Sequence, residues 1–136
     1  SILLLDIDKF KNINDTHGHN EGDKALVAVA NILRSNEAIR YGGEEFYVVL
    51  SDQDKKSAFK TAERIRESIE NIELQSDVGV EIPLTVSIGI TDYSDGYMEN
   101  SDEMDVILTL KKQADEALYK AKDTGRNKCV IYNNNL

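Results

Sequence analysis

The stretch AIRYGGEEFYVVL, residues 38–50, decides the fold. Two runs of strand-forming residues, 38–41 and 45–50, flank the pair Gly42-Gly43. Both glycines can take positive φ without steric cost, and two glycines between strand formers are a signal for a tight hairpin. We therefore predict two antiparallel strands joined at this pair. Such a hairpin rules out a purely parallel sheet.

Outward from the hairpin, runs typical of strands alternate with runs typical of helices. The pattern predicts an α+β fold with a central five-stranded, mixed and largely antiparallel sheet flanked by helices, in the order β-α-α-β-β-α-β-α-β. Asp8 is favoured as the N-cap of the first helix, and Ser51-Asp52 as the cap of the third. The predicted strands are residues 1–7, 38–41, 45–50, 84–91 and 130–132, the predicted helices are 9–16, 21–34, 55–72 and 105–123, and a polar loop covers 93–102.

The composition is that of one acidic globular domain. The 136 residues, 40% hydrophobic and 30% charged, predict a single domain over residues 1–136. The chain opens directly in an apolar strand and ends in Asn-Asn-Asn-Leu, so we expect a domain cut from a longer multidomain protein. The net charge of -9 argues against a nucleic-acid partner, whereas a nucleotide needs only a few local cations and a metal. No apolar run approaches the ~20 residues of a membrane helix, so we expect membrane contact only through other segments. The single cysteine, Cys129, fits a reducing compartment, and we expect a cytoplasmic location.

Acidic residues stand at positions where acids cost stability. Asp6 follows an apolar run, where an aspartate is unfavourable unless it is paired, hydrogen-bonded or coordinating. Glu44 and Glu45 are adjacent just past the tight turn, where neighbouring carboxylates repel each other. Asp6 and Glu44 together would form an oxygen-rich pocket suited to magnesium. An exposed turn with two solvated glutamates explains the hairpin alone equally well.

Several other polar side chains could serve a nucleotide, and each also has an ordinary structural explanation. Lys11 lies in the first turn of a predicted helix, whose free N–H groups attract phosphate, but a lone lysine there is more often solvated. Asn14 and Asp23 could hydrogen-bond guanine, although turn and cap chemistry is the simpler explanation from composition. Lys122 and Arg126 flank a helix C-terminus, where the helix dipole alone favours cations. The functional alternative is a clamp on distal phosphates.

Five motifs follow one another along almost the whole chain. They are DIDKFKNINDTHGH at residues 6–19, EGDKAL at 21–26, RYGGEEF at 40–46, TVSIGI at 85–90 and ADEALYKAKDTGRN at 114–127. In this order they resemble the GGDEF domain family, the diguanylate cyclases. The GGEEF form of the hairpin is typical of active members.

The resemblance implies a fold like that of nucleotidyl cyclases and polymerase palms. It also implies a reaction that joins two GTP molecules into cyclic di-GMP with Mg²⁺, for which Mn²⁺ could substitute. In the family pattern Asp6, the Ile7 carbonyl and Glu44 bind the metal ions, and Glu44 accepts the proton of the attacking 3′-hydroxyl. The resemblance also implies that Glu45 assists beside Glu44, that Lys11 stabilises the transition state, and that the N–H groups of residues 9–11, including Phe10, surround the triphosphate. Asn14, His19 and Asp23 would lie on the guanine side, and Gly42 and Gly43 would leave room for the nucleotide. Lys122 and Arg126 would contact phosphates.

The resemblance implies partners as well. Each domain binds one GTP, so the product requires a two-fold symmetric homodimer, and a sensory or receiver domain is expected upstream in the full-length protein. The inhibitory RxxD motif common in the family is replaced here by RSNE at residues 34–37 in a short connection, which leaves product inhibition open. Lys9 stands where an aromatic residue is common. Two further hypotheses are a regulatory module that binds GTP without turnover and a phospho-acceptor receiver domain, which would have a parallel, doubly wound sheet.

Overall fold

A computed structural model describes residues 1–96 and 102–133. The strands are Ile2–Ile7 (β1), Glu37–Gly42 (β2), Glu45–Val49 (β3), Val86–Thr91 (β4) and Cys129–Ile131 (β5). The helices are Phe10–His17 (α1), His19–Leu33 (α2), Lys55–Glu70 (α3), Tyr93–Gly96 (α4) and Glu103–Asp123 (α5). The strands form one sheet in the order β2-β3-β1-β4-β5.

The pairing of the strands confirms the predicted mixed, largely antiparallel sheet. β1 pairs antiparallel with both β3 and β4, β3 pairs antiparallel with β2, and β5 runs parallel to β4 at the edge. The register sets Asp6 opposite Glu45 on one side and opposite Ser87 on the other. The antiparallel pairing around the glycine pair eliminates the receiver-domain hypothesis, because a receiver needs a parallel, doubly wound sheet.

The turn between β2 and β3 consists of Gly43 and Glu44. Gly43 has φ 51°, in the left-handed region that glycine adopts at little cost. Gly42 is not in that region. It ends β2 and pairs with Glu45, beside a bulge that follows Arg40. The Arg40 guanidinium donates two hydrogen bonds, of 3.1 and 2.8 Å, to the Gly43 carbonyl and closes the turn. The hairpin therefore places Glu44 at its tip.

The two faces of the sheet are covered by different helices. Leu3 points into the main core, which α2 and α3 complete. Leu4, on the opposite face, packs against Leu118 of α5. α5 lies so close to β4 that a Cβ on Gly89 would be 2.3 Å from a backbone oxygen of the helix. Since side chains alternate along a strand, Asp6 shares the α5 face with Leu4.

Two predicted helix caps are wrong. Lys9, not Asp8, occupies the N-cap position of α1, with φ 54°. The Asp8 carboxylate instead binds groups of β4 and of the turn after α5, which removes it from the helix start. Asp54, not Ser51-Asp52, caps α3, because Asp52 at φ 61° lies in a turn that precedes the helix.

Several element ends also differ from the predicted ones. α2 begins two residues early, at His19, while β4 begins two residues late, at Val86. The predicted polar loop contains the short helix α4, and Asp102 caps α5 by accepting a hydrogen bond from the Asp105 N–H at 2.8 Å. Residues 97–101 of that loop lie outside the described residues. Within the described ranges, no helix has both the length and the apolar character needed to cross a bilayer.

Candidate active site

The site is centred on Asp6, near the end of β1. This residue is buried, with 3% of its surface exposed. Its Oδ2 forms an ion pair with Lys122 Nζ of α5 at 2.5 Å. Burial raises the pKa of Asp6 to about 6. Lys122 opposes the rise, and the carboxylates of Glu44 and Glu45 add to it. The ion pair therefore compensates only part of the cost of burying this carboxylate.

Two further carboxylates crowd Asp6. Glu45 of β3 lies directly opposite Asp6 of β1, and like charges in such a cross-strand pair repel each other. The pKa of Glu45 is also raised, mainly by burial. Lys122 opposes this rise, and Glu44 adds to it. Glu44 adjoins the same strand end, because its backbone oxygen accepts from the Ile7 N–H at 3.3 Å. The negative charges of Glu44 and Glu45 thus add to that of Asp6, while Lys122 acts on Asp6 and Glu45.

This arrangement fits a hard divalent cation. The Lys122 ammonium is itself a cation on the Asp6 carboxylate, and the charges of Glu44 and Glu45 exceed what it can neutralise. Among residues 1–96 and 102–133, no three His, Cys, Asp or Glu side chains are grouped as a metal site. The groups at this strand end that could hold such an ion are the carboxylates of Asp6 and Glu44 and the Ile7 carbonyl, the set that the family pattern implies. Magnesium commonly keeps waters and substrate phosphate oxygens as its other ligands.

Asp8 belongs to a separate network in which both carboxylate oxygens are satisfied. Its Oδ1 accepts from Ser87 Oγ at 2.6 Å, and its Oδ2 accepts from Thr85 Oγ1 at 2.8 Å and from the Asn127 N–H at 3.0 Å. Asp8 thus ties the end of β1 to β4 and to the turn that follows α5. This role was not predicted from the sequence. The available signal was a pair of hydroxyl residues, Thr85 and Ser87, two positions apart in an otherwise apolar strand.

The residues predicted on the guanine side lie on α1 and α2, which meet at Gly22. A Cβ on Gly22 would lie 1.8 Å from Asn14 Oδ1 and 3.3 Å from Phe10 Cζ. Glycine is therefore required for these two side chains to lie against α2. Asp23 follows Gly22 directly and is exposed, whereas His19 is exposed at the first position of α2. The structure brings Phe10 and Asn14 together at the helix contact and places His19 one turn before Asp23.

The predicted phosphate-binding cations occupy two different places. Lys122 is held by Asp6, with 34% of its side chain exposed. Arg126 is exposed, has φ 63°, and lines a cleft of about 410 Å³ between α1 and the turn that follows α5. Lys9 lines the same cleft, and Lys11 is exposed in the first turn of α1. The structure therefore joins Lys9 and Arg126 on one cleft and pairs Lys122 with the acids.

A third buried acid, Glu21, has no signal in the sequence that points to its role. It is 4% exposed and forms an ion pair with Lys24 at 3.2 Å. Its Oε1 accepts from the Asp77 N–H at 3.3 Å, and Lys24 Nζ lies 2.5 Å from Asp77 Oδ1. This cluster fastens α2 to the connector that follows α3. The partners Lys24 and Asp77 are 53 residues apart, so no spacing in the sequence indicates the contact.

Several known proteins resemble this chain. The family model described as "Diguanylate cyclase, GGDEF domain" matches residues 1–128. Diguanylate cyclase A of Treponema denticola is 43% identical, over 100% of this chain and 36% of that protein. The structure of the active GGEEF domain of a diguanylate cyclase from Vibrio cholerae is 32% identical with a TM-score of 0.82, over 97% of this chain and 81% of that one. The GGDEF domain of DgcB from Caulobacter crescentus, in complex with c-di-GMP, is 30% identical with a TM-score of 0.83, over 96% of this chain and 75% of that one.

The mixed sheet with an acidic hairpin defines a cyclase-like α+β domain. The chain belongs to the GGDEF domain family of diguanylate cyclases. The predicted family is confirmed, and with it membership of a family of enzymes. The chain spans about a third of the length of the curated relatives that it matches first.

Proposed function

We propose that this chain is the catalytic domain of a diguanylate cyclase, which condenses two GTP molecules into cyclic di-GMP and two pyrophosphates with bound Mg²⁺. The observation that supports this most directly is the crowding of Glu44 and Glu45 around the buried carboxylate of Asp6 at the GGEEF hairpin, where Lys122 is paired with Asp6. Such crowding is unfavourable for the fold and favourable for a cation. The Vibrio cholerae relative, described as an active GGEEF domain, supports the proposal.

Each predicted site residue has a place in this function. Asp6, the Ile7 carbonyl and Glu44 would hold Mg²⁺, or Mn²⁺ in its place, and the bound ion would neutralise charge on the reacting phosphate. The N–H groups of residues 9–11 lie at the positive end of the α1 dipole and would bind the triphosphate. Lys11 would add positive charge in the transition state. The remaining substrate contacts would be Asn14, His19 and Asp23 to guanine, and Lys122 and Arg126 to phosphates.

The chemistry is phosphoryl transfer. The 3′-hydroxyl oxygen of one GTP forms a bond to the α-phosphorus of the other, and the bond from that phosphorus to the α,β-bridging oxygen breaks. Pyrophosphate leaves with the electron pair of the broken bond. The Glu44 carboxylate accepts the hydroxyl proton, and Glu45 assists beside it. A second such step closes the ring.

Two copies of the domain must cooperate, because each binds one GTP and the product joins two. A two-fold symmetric homodimer presents the two GTP molecules to each other. Gly42 and Gly43 would leave room for the nucleotide, since a Cβ on either would meet none of the described atoms within 4 Å. Because the curated relatives are longer than this chain, we expect a sensory or receiver domain upstream in the full-length protein. We also expect a cytoplasmic location, because the single cysteine fits a reducing compartment.

The test is incubation with GTP and Mg²⁺ over a range of protein concentrations, followed by nucleotide chromatography. We expect cyclic di-GMP and pyrophosphate, with a rate that rises more than linearly with protein concentration because the dimer is the active unit. Glu44→Gln, which removes the proton acceptor at little change in size, should abolish the product while circular dichroism remains that of the wild type. Undiminished turnover in this variant would refute the role of Glu44.

A second candidate function is a regulatory module that binds GTP without turning it over. The ion pair between Lys122 and Asp6 favours it, because this contact occupies the carboxylate that the metal needs. Calorimetry that shows tight GTP binding, with no product at high protein concentration and saturating Mg²⁺, would support the module and contradict the enzyme.

A further inference from the structure

The turn that follows α5 has an unusual backbone. Three consecutive residues have positive φ: Gly125 at 122°, Arg126 at 63° and Asn127 at 47°. Glycine adopts such values freely, but they are unfavourable for residues with a Cβ, which adopt them singly rather than in succession. The conformation of Arg126 and Asn127 must therefore be imposed by contacts around the turn.

Asn127 is bound both by Asp8, just after β1, and by two residues of α3. Its backbone N–H donates to Asp8 Oδ2 at 3.0 Å, and its side-chain Oδ1 accepts from Arg66 Nη1 of α3 at 3.0 Å. Its Nδ2 donates to Glu70 Oε2, also on α3. Both partners of Asn127 are themselves held in place. Asp8 accepts hydrogen bonds from the hydroxyl groups of Ser87 in β4 and of Thr85 just before it, and Arg66 is ion-paired with Glu63 at 2.9 Å and only 14% exposed.

The side chain of Arg126, unlike that of Asn127, is exposed. The Arg126 backbone N–H donates to the Ala121 carbonyl at 3.0 Å, while its side chain is exposed on the cleft of about 410 Å³ that Lys9 also lines. The position of the guanidinium therefore depends on a turn whose conformation is set by Asn127. The anchor on the other side, Asp8, comes two residues after Asp6, so one carboxylate links this turn to the strand end that carries the proposed metal ligand.

We propose that Asn127 is a positioning residue, which acts through Arg126 to set the affinity for the distal phosphates of the nucleotide. Asn127 also lines the cleft, but its side-chain amide is bound by Arg66 and Glu70 of α3. This inference rests on the proposed function, because it assumes that the cleft beside the start of α1 receives the triphosphate. It deepens that function by assigning the amide of Asn127, and the α3 residue Arg66 that holds it, to recognition of the polyphosphate.

The test compares two ligands on several variants, with Mg²⁺ present and calorimetry as the readout. The ligands are a non-hydrolysable GTP analogue, which has distal phosphates, and GMP, which has none. Asn127→Gly removes the clamped side chain but keeps a residue that tolerates positive φ. We expect Asn127→Gly and Arg126→Ala each to weaken the GTP analogue about tenfold, which is about 1.4 kcal/mol, and to leave GMP unchanged.

Two comparisons separate positioning from a loss of stability. In the Arg126→Ala background, Asn127→Gly should have no further effect, because it acts through the removed guanidinium. Arg66→Ala should reproduce the selective loss, whereas Arg64→Ala, the matched control that removes an exposed arginine from the same helix, should not. Melting curves for every variant fix an assay temperature at which all are folded.

The results bear on the role of Asn127, on the proposed enzyme, or on both. Additive losses, an equal loss for GMP and the GTP analogue, or unchanged GTP-analogue affinity in Arg126→Ala would each overturn the role of Asn127. A wild-type protein that binds neither nucleotide would overturn both claims. The expected pattern together with an absence of cyclic di-GMP would contradict the proposed enzyme and leave the positioning role in place.

Discussion

Replacing Lys122 is expected to strengthen metal binding, because its ammonium group competes with the metal ion for Asp6. Lys122→Met keeps much of the aliphatic length of the side chain and removes the charge. In the structure Nζ lies 2.5 Å from Asp6 Oδ2, with side-chain exposures of 34% and 4%. A metal ion that binds Asp6 must displace this group from the wild type. In the variant, titrated well above the raised pKa of Asp6 so that the carboxylate is ionised, the metal ion has no cation to displace.

The expected size of the effect follows from the geometry of this ion pair. A hydrogen bond to a charged group contributes about 1.5–3 kcal/mol, and the partial exposure of Lys122 places it at the lower end, near ~1.5 kcal/mol. Because about 1.4 kcal/mol is a factor of ten in an equilibrium constant, the Kd for Mn²⁺ without nucleotide should fall about tenfold.

Lys120→Met is the matched control. It removes the same charge from an exposed position on the same helix. Exposed charges are screened by salt, so the Kd of this variant should change less than about twofold. Mn²⁺ is titrated by calorimetry and by its electron paramagnetic resonance signal, with circular dichroism as the test of folding. Asp6→Asn added to Lys122→Met should abolish the gain. If Lys122→Met is folded and binds Mn²⁺ no more tightly than Lys120→Met, the competition does not exist.

Three further predictions concern the packing of a strand glycine, a helix cap and a partly buried thiol. Gly89→Ala should lower the free energy of unfolding in urea by about 3 kcal/mol, because its Cβ would lie 2.3 Å from the α5 backbone. Gly42→Ala, whose Cβ would meet no described atom within 4 Å, should change it by less than about 0.5 kcal/mol. Asp54→Ala should lower the melting temperature at pH 7 and not at pH 2. Hydrogen bonds from the Ser57 N–H, and then from the Ser57 side chain, hold the pKa of Asp54 below its usual 3.8, so the stabilisation is present above that pH and disappears as the carboxylate is protonated. Cys129 should resist iodoacetamide at pH 8 in the folded protein and react in denaturant, since burial, and then the hydrogen bond with Glu63, raise the pKa of its thiol.

The sheet could be predicted because its signals are local. The glycine pair and its flanking strand formers indicate a hairpin within 13 residues, and the apolar run at residues 1–7 indicates a buried strand without reference to the rest of the chain. The order of motifs along the chain then indicated the family, and with it the acids at the hairpin. Each of these signals lies in neighbouring residues or in a pattern that covers the whole chain.

The contacts that organise the site could not be predicted, because they join distant residues. Asp8 was assigned to a helix cap from the residues that follow it, yet its partners Thr85 and Asn127 are 77 and 119 residues away. Lys122 was assigned to phosphate from its place at a helix end, while in the structure it pairs with Asp6 across 116 residues. A carboxylate takes the nearest available donors in space, and the fold decides which donors those are.

The most direct measurement of the central claim is a crystal structure with Mn²⁺ and a non-hydrolysable GTP analogue, with anomalous scattering used to locate the metal. We predict a manganese ion bonded to carboxylate oxygens of both Asp6 and Glu44, with Lys122 Nζ moved away from Asp6. Manganese found elsewhere, or the ion pair of Lys122 and Asp6 still intact beside bound nucleotide, would contradict the account.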